Sequence, residues 1–295
     1  MPGEATAEPQ VAGAVGFPGQ GGDWRAAIEV LGARGNHPLV AALAERLGSD
    51  RWDELDGLDT RNSQPVVYTS GLVGPAPPPG AGIVAGIGHS LGEITASAWA
   101  GAVAPTDGLD LVLARAALGH AAHEKRPGAM AAISRWRVEQ VEWLRRGVLA
   151  TRPGILEVAV LNSPEQVVLS GDADLVNEAV ELANAQGAVA RHLPIGGAYH
   201  SPLLVGELAA FRVQVERVIT ADPAVPIVSS TSARAITAAA DLADVIVRSL
   251  VLPVRWEDAV RALAGLGVTT AVDAGPGDTL VRLGRFLSDV TFVAA

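Results

Sequence analysis

Ile83-Val84-Ala85-Gly86-Ile87-Gly88-His89-Ser90-Leu91-Gly92-Glu93 is the stretch whose reading decides the fold. An uncharged apolar run from Ile83 to Gly88 leads into Ser90. The residues after it, Leu91 to Val103, are rich in alanine, leucine and isoleucine, with Glu93 in the first turn, where a helix N-terminus favours an acidic side chain. The order is strand, sharp turn, helix. Gly88-His89-Ser90-Leu91-Gly92 fits G-x-S-x-G, the nucleophile elbow, in the context that the pattern requires. A turn that lifts a serine hydroxyl clear of the backbone leaves no room for Cβ atoms on its flanks, and the helix behind it aims N–H groups at any oxyanion formed on a substrate. The alternative is an ordinary glycine-rich loop; the strand and helix on either side favour Ser90 as a nucleophile.

Toward the N-terminus, the apolar run Ala12 to Phe17 is stopped by Pro18-Gly19-Gln20-Gly21-Gly22, a second strand followed by a loop able to present backbone N–H groups. Between the two strands, the Pro- and Gly-rich segment 74–82 reads as an exposed loop. Toward the C-terminus six short elements follow: Ala129 to Ile133, a helix near Val138 to Val148, Leu156 to Leu161, then, after the turn Asn162-Ser163-Pro164, Gln166 to Leu169, a helix from Asp172 to Ala185, and Ala188 to Leu193. The order βαββαβ is that of a ferredoxin-like subdomain. Beyond it, helical stretches alternate with apolar runs at Pro226 to Ser229 and Thr269 to Asp273. The expected fold is α/β: an α/β-hydrolase-like body with a parallel sheet, residues 1–127 and 195–295, interrupted by a ferredoxin-like subdomain at 128–194.

The 295 residues, 49% hydrophobic and 18% charged, suit a folded globular protein. With no cysteine, disulfides, thiolate metal sites and cysteine nucleophiles are excluded. A net charge of −10 argues against a general nucleic-acid binder, whose phosphate contacts need excess Lys and Arg. The N-terminus lacks a basic region followed by an apolar stretch, and no apolar run is long enough to span a membrane, so a cytoplasmic protein is expected. The one lysine, Lys125, lies in a polar turn unsuited to Schiff-base chemistry.

A serine nucleophile needs a base. His89, beside Ser90, would point away from it and buttress the elbow. His37, His120 and His123 lie in polar stretches that read as exposed. His192 falls on the last strand of the small subdomain. His200, in Gly196-Gly197-Ala198-Tyr199-His200-Ser201-Pro202, sits where that subdomain rejoins the body, and sites form at such junctions. The residues alone favour His200 by position without settling the choice.

Phe17-Pro18-Gly19-Gln20-Gly21, Gly88-His89-Ser90-Leu91-Gly92-Glu93, Gly128 to Ile133, Asn162-Ser163-Pro164 with Ser170-Gly171, Ala198 to Pro202, Pro253-Val254-Arg255-Trp256 and Gly275-Pro276-Gly277 run in the order seen in malonyl-CoA:acyl-carrier-protein transacylases. The same motifs mark the acyltransferase domains of polyketide synthases, and the resemblance covers about residue 12 to residue 286. It implies that His200 is the base for Ser90, and that the oxyanion hole is the backbone N–H of Gln20 and of Leu91. It also implies that a backbone carbonyl from Arg248-Ser249-Leu250 orients the histidine. Relatives commonly carry Gln or Asn where this chain has Ser249, which leaves a main-chain role there. Arg115 falls where the family places the arginine that holds the malonate carboxylate; a guanidinium offers a carboxylate a rigid two-pronged fork. Gln64 and Asn162 match pocket-lining positions, or are turn residues. Tyr199 stands where malonyl-selective relatives carry a bulky aromatic, whereas Gly119 and Gly197 replace larger residues and would enlarge the space toward a bulkier carboxylated extender.

The implied activity is malonyl transfer from an acyl-CoA thioester to an acyl carrier protein by a ping-pong mechanism, with no metal or redox cofactor. Arginines of the small subdomain (Arg135, Arg137, Arg145, Arg146, Arg191) are candidates for meeting an acidic carrier. The rivals are a carrier-to-carrier transacylase for an unusual acyl group, a serine esterase or thioesterase, and a noncatalytic docking module.

Overall fold

The computed structural model describes residues 12–80 and 82–295, so the reading of the first eleven residues lies outside it. Among the described residues no helix is long and apolar enough to cross a membrane. The chain is a mixed α/β protein with two sheets. Strands β1 (Ala12–Phe17), β2 (Ile83–Gly88), β7 (Ile227–Ser229), β8 (Arg234–Ile236), β10 (Val268–Asp273) and β11 (Thr291–Ala294) form the larger one, in the order β11-β10-β1-β2-β7-β8. All neighbours are parallel except β7 with β8. In β1 the glycines allow close packing: a Cβ on Gly16 would come within 2.7 Å of Leu280 Cδ1.

The smaller sheet takes β3 (Gly128–Ser134), β4 (Leu156–Ser163), β5 (Gln166–Asp172), β6 (Val189–His192) and β9 (Val254–Arg255), in the order β6-β3-β5-β4-β9. The first four are mutually antiparallel, and β9 adds parallel to β4. The helices are α1 (Trp24–Ala33), α2 (Pro38–Leu47), α3 (Thr60–Val73), α4 (Gly92–Trp99), α5 (Pro105–Lys125), α6 (Val138–Thr151), α7 (Ala173–Ala185), α8 (Leu208–Val218), α9 (Ala239–Arg248), α10 (Trp256–Ala264) and α11 (Thr279–Gly284).

The β-α-β-β-α-β order from β3 to β6 follows the sequence pattern closely, and period-two alternation explains why. Ala131, Ile133, Val167 and Leu169 pack with Leu144, Leu175 and Val176 of α6 and α7 in a small core. Met130, Val160 and Val168 face the other way and join the large core. One sheet therefore has two buried faces, and the second of them becomes a wall of the cleft.

Three expectations are corrected. Asn162 and Ser163 are not in a turn but end β4, because Ser163 still pairs with Gln166 across the hairpin. The segment 74–82, apart from Ala81, which is outside the described residues, is partly buried: Trp99 Nε1 donates to the Pro77 carbonyl at 2.8 Å. The smaller sheet also takes a strand, β9, from beyond residue 194, so the subdomain is not self-contained in sequence.

Candidate active site

The glycine loop after β1 and the elbow after β2 emerge side by side at the carboxyl ends of adjacent parallel strands, where open α/β sheets place their sites. His89 N donates to Phe17 O at 2.9 Å, which ties the two together. Ser90 holds a left-handed φ of 54°, costly for a residue with a Cβ and maintained only by its surroundings. A Cβ on Gly88 would sit 2.2 Å from Glu93 N, and one on Gly92 would sit 2.0 Å from Phe17 O, so both flanks require glycine. Below the elbow, Glu93 Oε1 accepts from Ser229 Oγ, Ser230 Oγ and Thr231 N at 2.9–3.0 Å, pinning α4 to the end of β7. Burial pushes the Glu93 carboxyl above its usual range despite these bonds.

Ser90 Oγ lies 2.6 Å from His200 Nε2. His200, also left-handed at φ 57°, donates its backbone N–H to Leu250 O at 2.8 Å and its Nδ1–H to Leu252 O at 3.0 Å. With Nδ1 protonated, Nε2 is free to accept the serine proton. The orienting group is thus a backbone carbonyl, chiefly that of Leu252, with the Ser249 backbone of the expected segment 248–250 acting on the imidazole in the same sense; Ser249 Oγ turns back to Ile246 O at 2.7 Å. The sequence offered no signal for Leu252, because a carbonyl leaves no side-chain trace. Burial first, then the charge of Arg115, pushes the His200 imidazole down to about 3, only partly offset by Leu252.

Arg115, from α5, is 2% exposed and donates from Nη1 to Gln64 Oε1 at 2.8 Å. Its guanidinium lies 4.5 Å from the centre of the Tyr199 ring, and among the described residues no carboxylate pairs with it. A buried cation without a counter-ion is costly, and a ligand carboxylate would supply what is missing.

Behind it runs a polar network that the sequence reading only touched. Gln64 Nε2 donates to Gln20 Oε1 at 3.0 Å and to Thr60 Oγ1 at 2.8 Å, Thr60 Oγ1 donates to Gln20 Oε1 at 3.0 Å, and Gln20 Nε2 donates to Ser63 Oγ at 2.8 Å. Arg115 and the glycine loop are therefore joined through one helix face. Gln64 is in neither a turn nor the cavity wall: it is buried in α3, one residue before an in-helix proline. The i, i+4 spacing of Thr60 and Gln64 was the available signal, masked by Pro65, which reads as a turn residue.

Tyr199 is buried, its hydroxyl 3.2 Å from Thr60 Oγ1. Gly119 does not open free space as expected, because its missing Cβ would fall 2.1 Å from the Tyr199 hydroxyl oxygen: the tyrosine already fills that volume. Gly197 holds φ 119°, a conformation that favours glycine on backbone grounds. His89 Nε2–H donates to Asn162 Oδ1 at 2.9 Å, and Asn162 Nδ2 to Gln166 Oε1 at 3.0 Å. The His89 ring packs edge-on against Trp256 at 5.2 Å, and burial lowers its basicity.

Ser90, His200, Gln20, His89, Arg115, Asn162 and Tyr199 line a single cavity of about 230 Å³, whose apolar wall includes Met130, Val160 and Val168. The Leu91 side chain is buried in the core, leaving only its backbone near the elbow. Of the other histidines, His192 is exposed on β6, His37 caps α2 by accepting from Leu39 N, and His120 sits 3.5 Å from Glu124. His123, expected on the surface, is half-buried and accepts from Gly128 N at 3.2 Å, where the chain enters β3. Among the described residues no cluster suited to a metal ion occurs.

Residues 80–285 match the acyl transferase domain family, the class to which a serine elbow between these two sheets points. The malonyl CoA-acyl carrier protein transacylase of Bacillus subtilis is 34% identical over 76% of this chain and 71% of its own length. Polyketide synthase GfsA of Streptomyces halstedii is 32% identical over 91% of this chain, which spans only 4% of that protein. Among solved structures, the acyl-carrier-protein S-malonyltransferase of Burkholderia pseudomallei superposes with a TM-score of 0.81 at 30% identity, covering 96% of this chain and 95% of that one. A type II polyketide synthase acyl-carrier protein in complex with its malonyl-transacylase gives 0.79 at 27%, covering 96% and 95%. The chain belongs to the malonyl-CoA:acyl-carrier-protein transacylase family.

Proposed function

We propose that this chain moves a malonyl group from coenzyme A to the phosphopantetheine thiol of an acyl carrier protein through an acyl-Ser90 intermediate. The observation that carries the reading is the 2.6 Å approach of Ser90 Oγ to His200 Nε2 in the same cavity as a buried arginine without a carboxylate partner. His200 Nε2 takes the hydroxyl proton as Ser90 Oγ attacks the thioester carbonyl. The oxyanion falls to the N–H groups of Gln20 and Leu91, which have no backbone partner among the described residues. Collapse expels the CoA thiolate, which recovers the proton from Nε2. The carrier thiol then gives His200 its proton, attacks the acyl-serine, and Ser90 takes that proton back as it leaves. No cofactor enters the balance.

Arg115 links substrate choice to basicity. In the free enzyme its charge helps to hold His200 down. A malonyl carboxylate on the guanidinium cancels that charge, so the correct substrate raises the basicity of its own general base. Tyr199, filling the space beside Gly119, favours malonyl over a bulkier extender.

The antiparallel order β6-β3-β5-β4 supports a ferredoxin-like subdomain at 128–194, extended by β9, and the parallel sheet with its elbow supports a hydrolase-like body from the remainder. The use of CoA thioesters fits a cytoplasmic setting.

The pH profile follows from the sign of the His200 shift. A histidine held below its ordinary value remains a competent base as pH falls, and loses function only as pH approaches the lowered value. Acylation kcat/KM at pH 5.5 should stay within about twofold of its value at pH 7.5, where a histidine titrating at the ordinary 6.5 would lose roughly tenfold. A stopped-flow or quenched profile showing that tenfold loss would contradict the desolvated dyad.

Transfer is separated from hydrolysis by product analysis with malonyl-CoA and holo carrier protein. Malonyl-carrier should be the main product and free malonate a minor one. Malonate formation unaffected by the carrier would instead make the chain an esterase.

A further inference from the structure

The N–H of Gln20 has to face a developing oxyanion, yet its peptide lies between Gly19 and Gly21, and Gly21 holds φ 90°. Glycine on either side leaves that backbone free to swing and supplies no side chain to hold it. The handle is the Gln20 side chain, bonded three times to the start of α3. Its Oε1 accepts from Thr60 Oγ1 and from Gln64 Nε2, both at 3.0 Å, and its Nε2 donates to Ser63 Oγ at 2.8 Å. Thr60, Ser63 and Gln64 stand at i, i+3 and i+4, one face of the helix, and none is more than 4% exposed.

The chemistry of these groups allows one assignment of protons. Arg115 can only donate, so Gln64 Oε1 faces it and Gln64 Nε2 faces Gln20 and Thr60. Thr60 gives its single hydrogen to Gln20 Oε1 and accepts from Gln64 Nε2 at 2.8 Å. The Tyr199 hydroxyl, 3.2 Å away, therefore donates to Thr60 as well. At the far end Ser63 Oγ passes its hydrogen to Asp59 O at 3.1 Å. One buried hydroxyl thus touches the oxyanion loop, the residue that holds Arg115, and the tyrosine beside it. Thr60 is not part of the cavity wall, so it acts only through these neighbours. We infer that Thr60 is a positioning residue for the oxyanion hole: its hydroxyl locks the Gln20 side chain to α3 and so fixes the direction of the Gln20 N–H against the swing that its flanking glycines allow. The inference rests on the acyl-Ser90 reading for the hole it serves. Because the hole acts on the carbonyl and not on the acyl tail, Thr60 matters equally to carboxylated and uncarboxylated acyl groups, which Arg115 tells apart.

Acetylation of Ser90 by p-nitrophenyl acetate tests this without coenzyme A or a carboxylate, since the ester needs only the nucleophile, its base and the hole. Thr60→Val keeps the shape and removes the hydroxyl. It should slow the nitrophenol burst by about tenfold, part of the ~10²–10³-fold worth of a complete hole donor. Thr60→Ser, which keeps the hydroxyl and its bonds, should stay within about twofold of the wild type. With malonyl-CoA and acetyl-CoA, Thr60→Val should lower kcat for both by the same factor, leaving KM and the malonyl-to-acetyl ratio within about twofold. Gln20→Met keeps the backbone N–H but removes the side-chain bonds; it should give a similar loss, and the double variant no more than the larger single one. A wild type that gives no burst, or a Thr60→Val variant that melts earlier but keeps the wild-type burst, overturns the assignment. So does a change confined to KM or to the malonyl-to-acetyl ratio, or losses that multiply in the double variant. Failure of the malonyl-transfer reading is separately visible, as no acylation by either CoA ester while the effects on the nitrophenyl ester stand.

Discussion

Ser90→Ala should abolish malonyl transfer, and His200→Ala should lower the acylation rate at neutral pH by ~10²–10⁴-fold, the usual worth of a positioned general base. The two effects share one cause. Among the described residues Ser90 Oγ has a single base within hydrogen-bond reach, and the chain has no cysteine to take over as nucleophile. His89, the nearest alternative in sequence, has its Nε2 committed to Asn162 at 2.9 Å. Quenched-flow measurement of acyl-enzyme formation reads the loss directly. Near-normal rates in His200→Ala would place the base elsewhere.

Arg115→Ala should sharply weaken the expected preference for carboxylated substrates. Loss of a charged hydrogen bond in a shielded site removes ~1.5–3 kcal/mol from malonyl transfer, whereas acetyl, with no carboxylate, makes no such bond. The malonyl-to-acetyl ratio of kcat/KM should therefore fall by roughly 10- to 100-fold. Arg115→Lys should restore only part of it, since an ammonium keeps the charge but lacks the planar fork. Arg115 also holds Gln64 and stacks on Tyr199, so some loss of thermal stability accompanies the change. Equal losses for malonyl and acetyl would show that this supporting role is the whole of its function.

What was legible in the sequence was local. The elbow announced itself because Gly88 and Gly92 are forced by contacts within a few residues and with β1, and the βαββαβ order because its strands alternate between two cores. What escaped was set by partners far along the chain. Leu252 reaches His200 across 52 residues as a bare carbonyl. The two-residue strand β9 exists only because β4 offers it an edge. Gly119 looked like empty space until Tyr199, 80 positions on, was seen to occupy it. Thr60 and Ser63 join the site through Gln20, some 40 residues earlier, and the one local signal, the i, i+4 spacing of Thr60 and Gln64, was masked by Pro65. Glu93 was read as a helix-start preference, and its larger task, holding the elbow to β7, depends on three residues more than 130 positions away.

The central claim, a covalent acyl-Ser90 selected through its carboxylate, is tested most directly by intact-mass measurement of the protein after mixing with malonyl-CoA, followed by peptide mapping of the adduct. One malonyl group per chain, carried on Ser90 and absent from Ser90→Ala, is the expected result. An adduct on another residue, or an unmodified protein under conditions in which malonyl-carrier still forms, would contradict it.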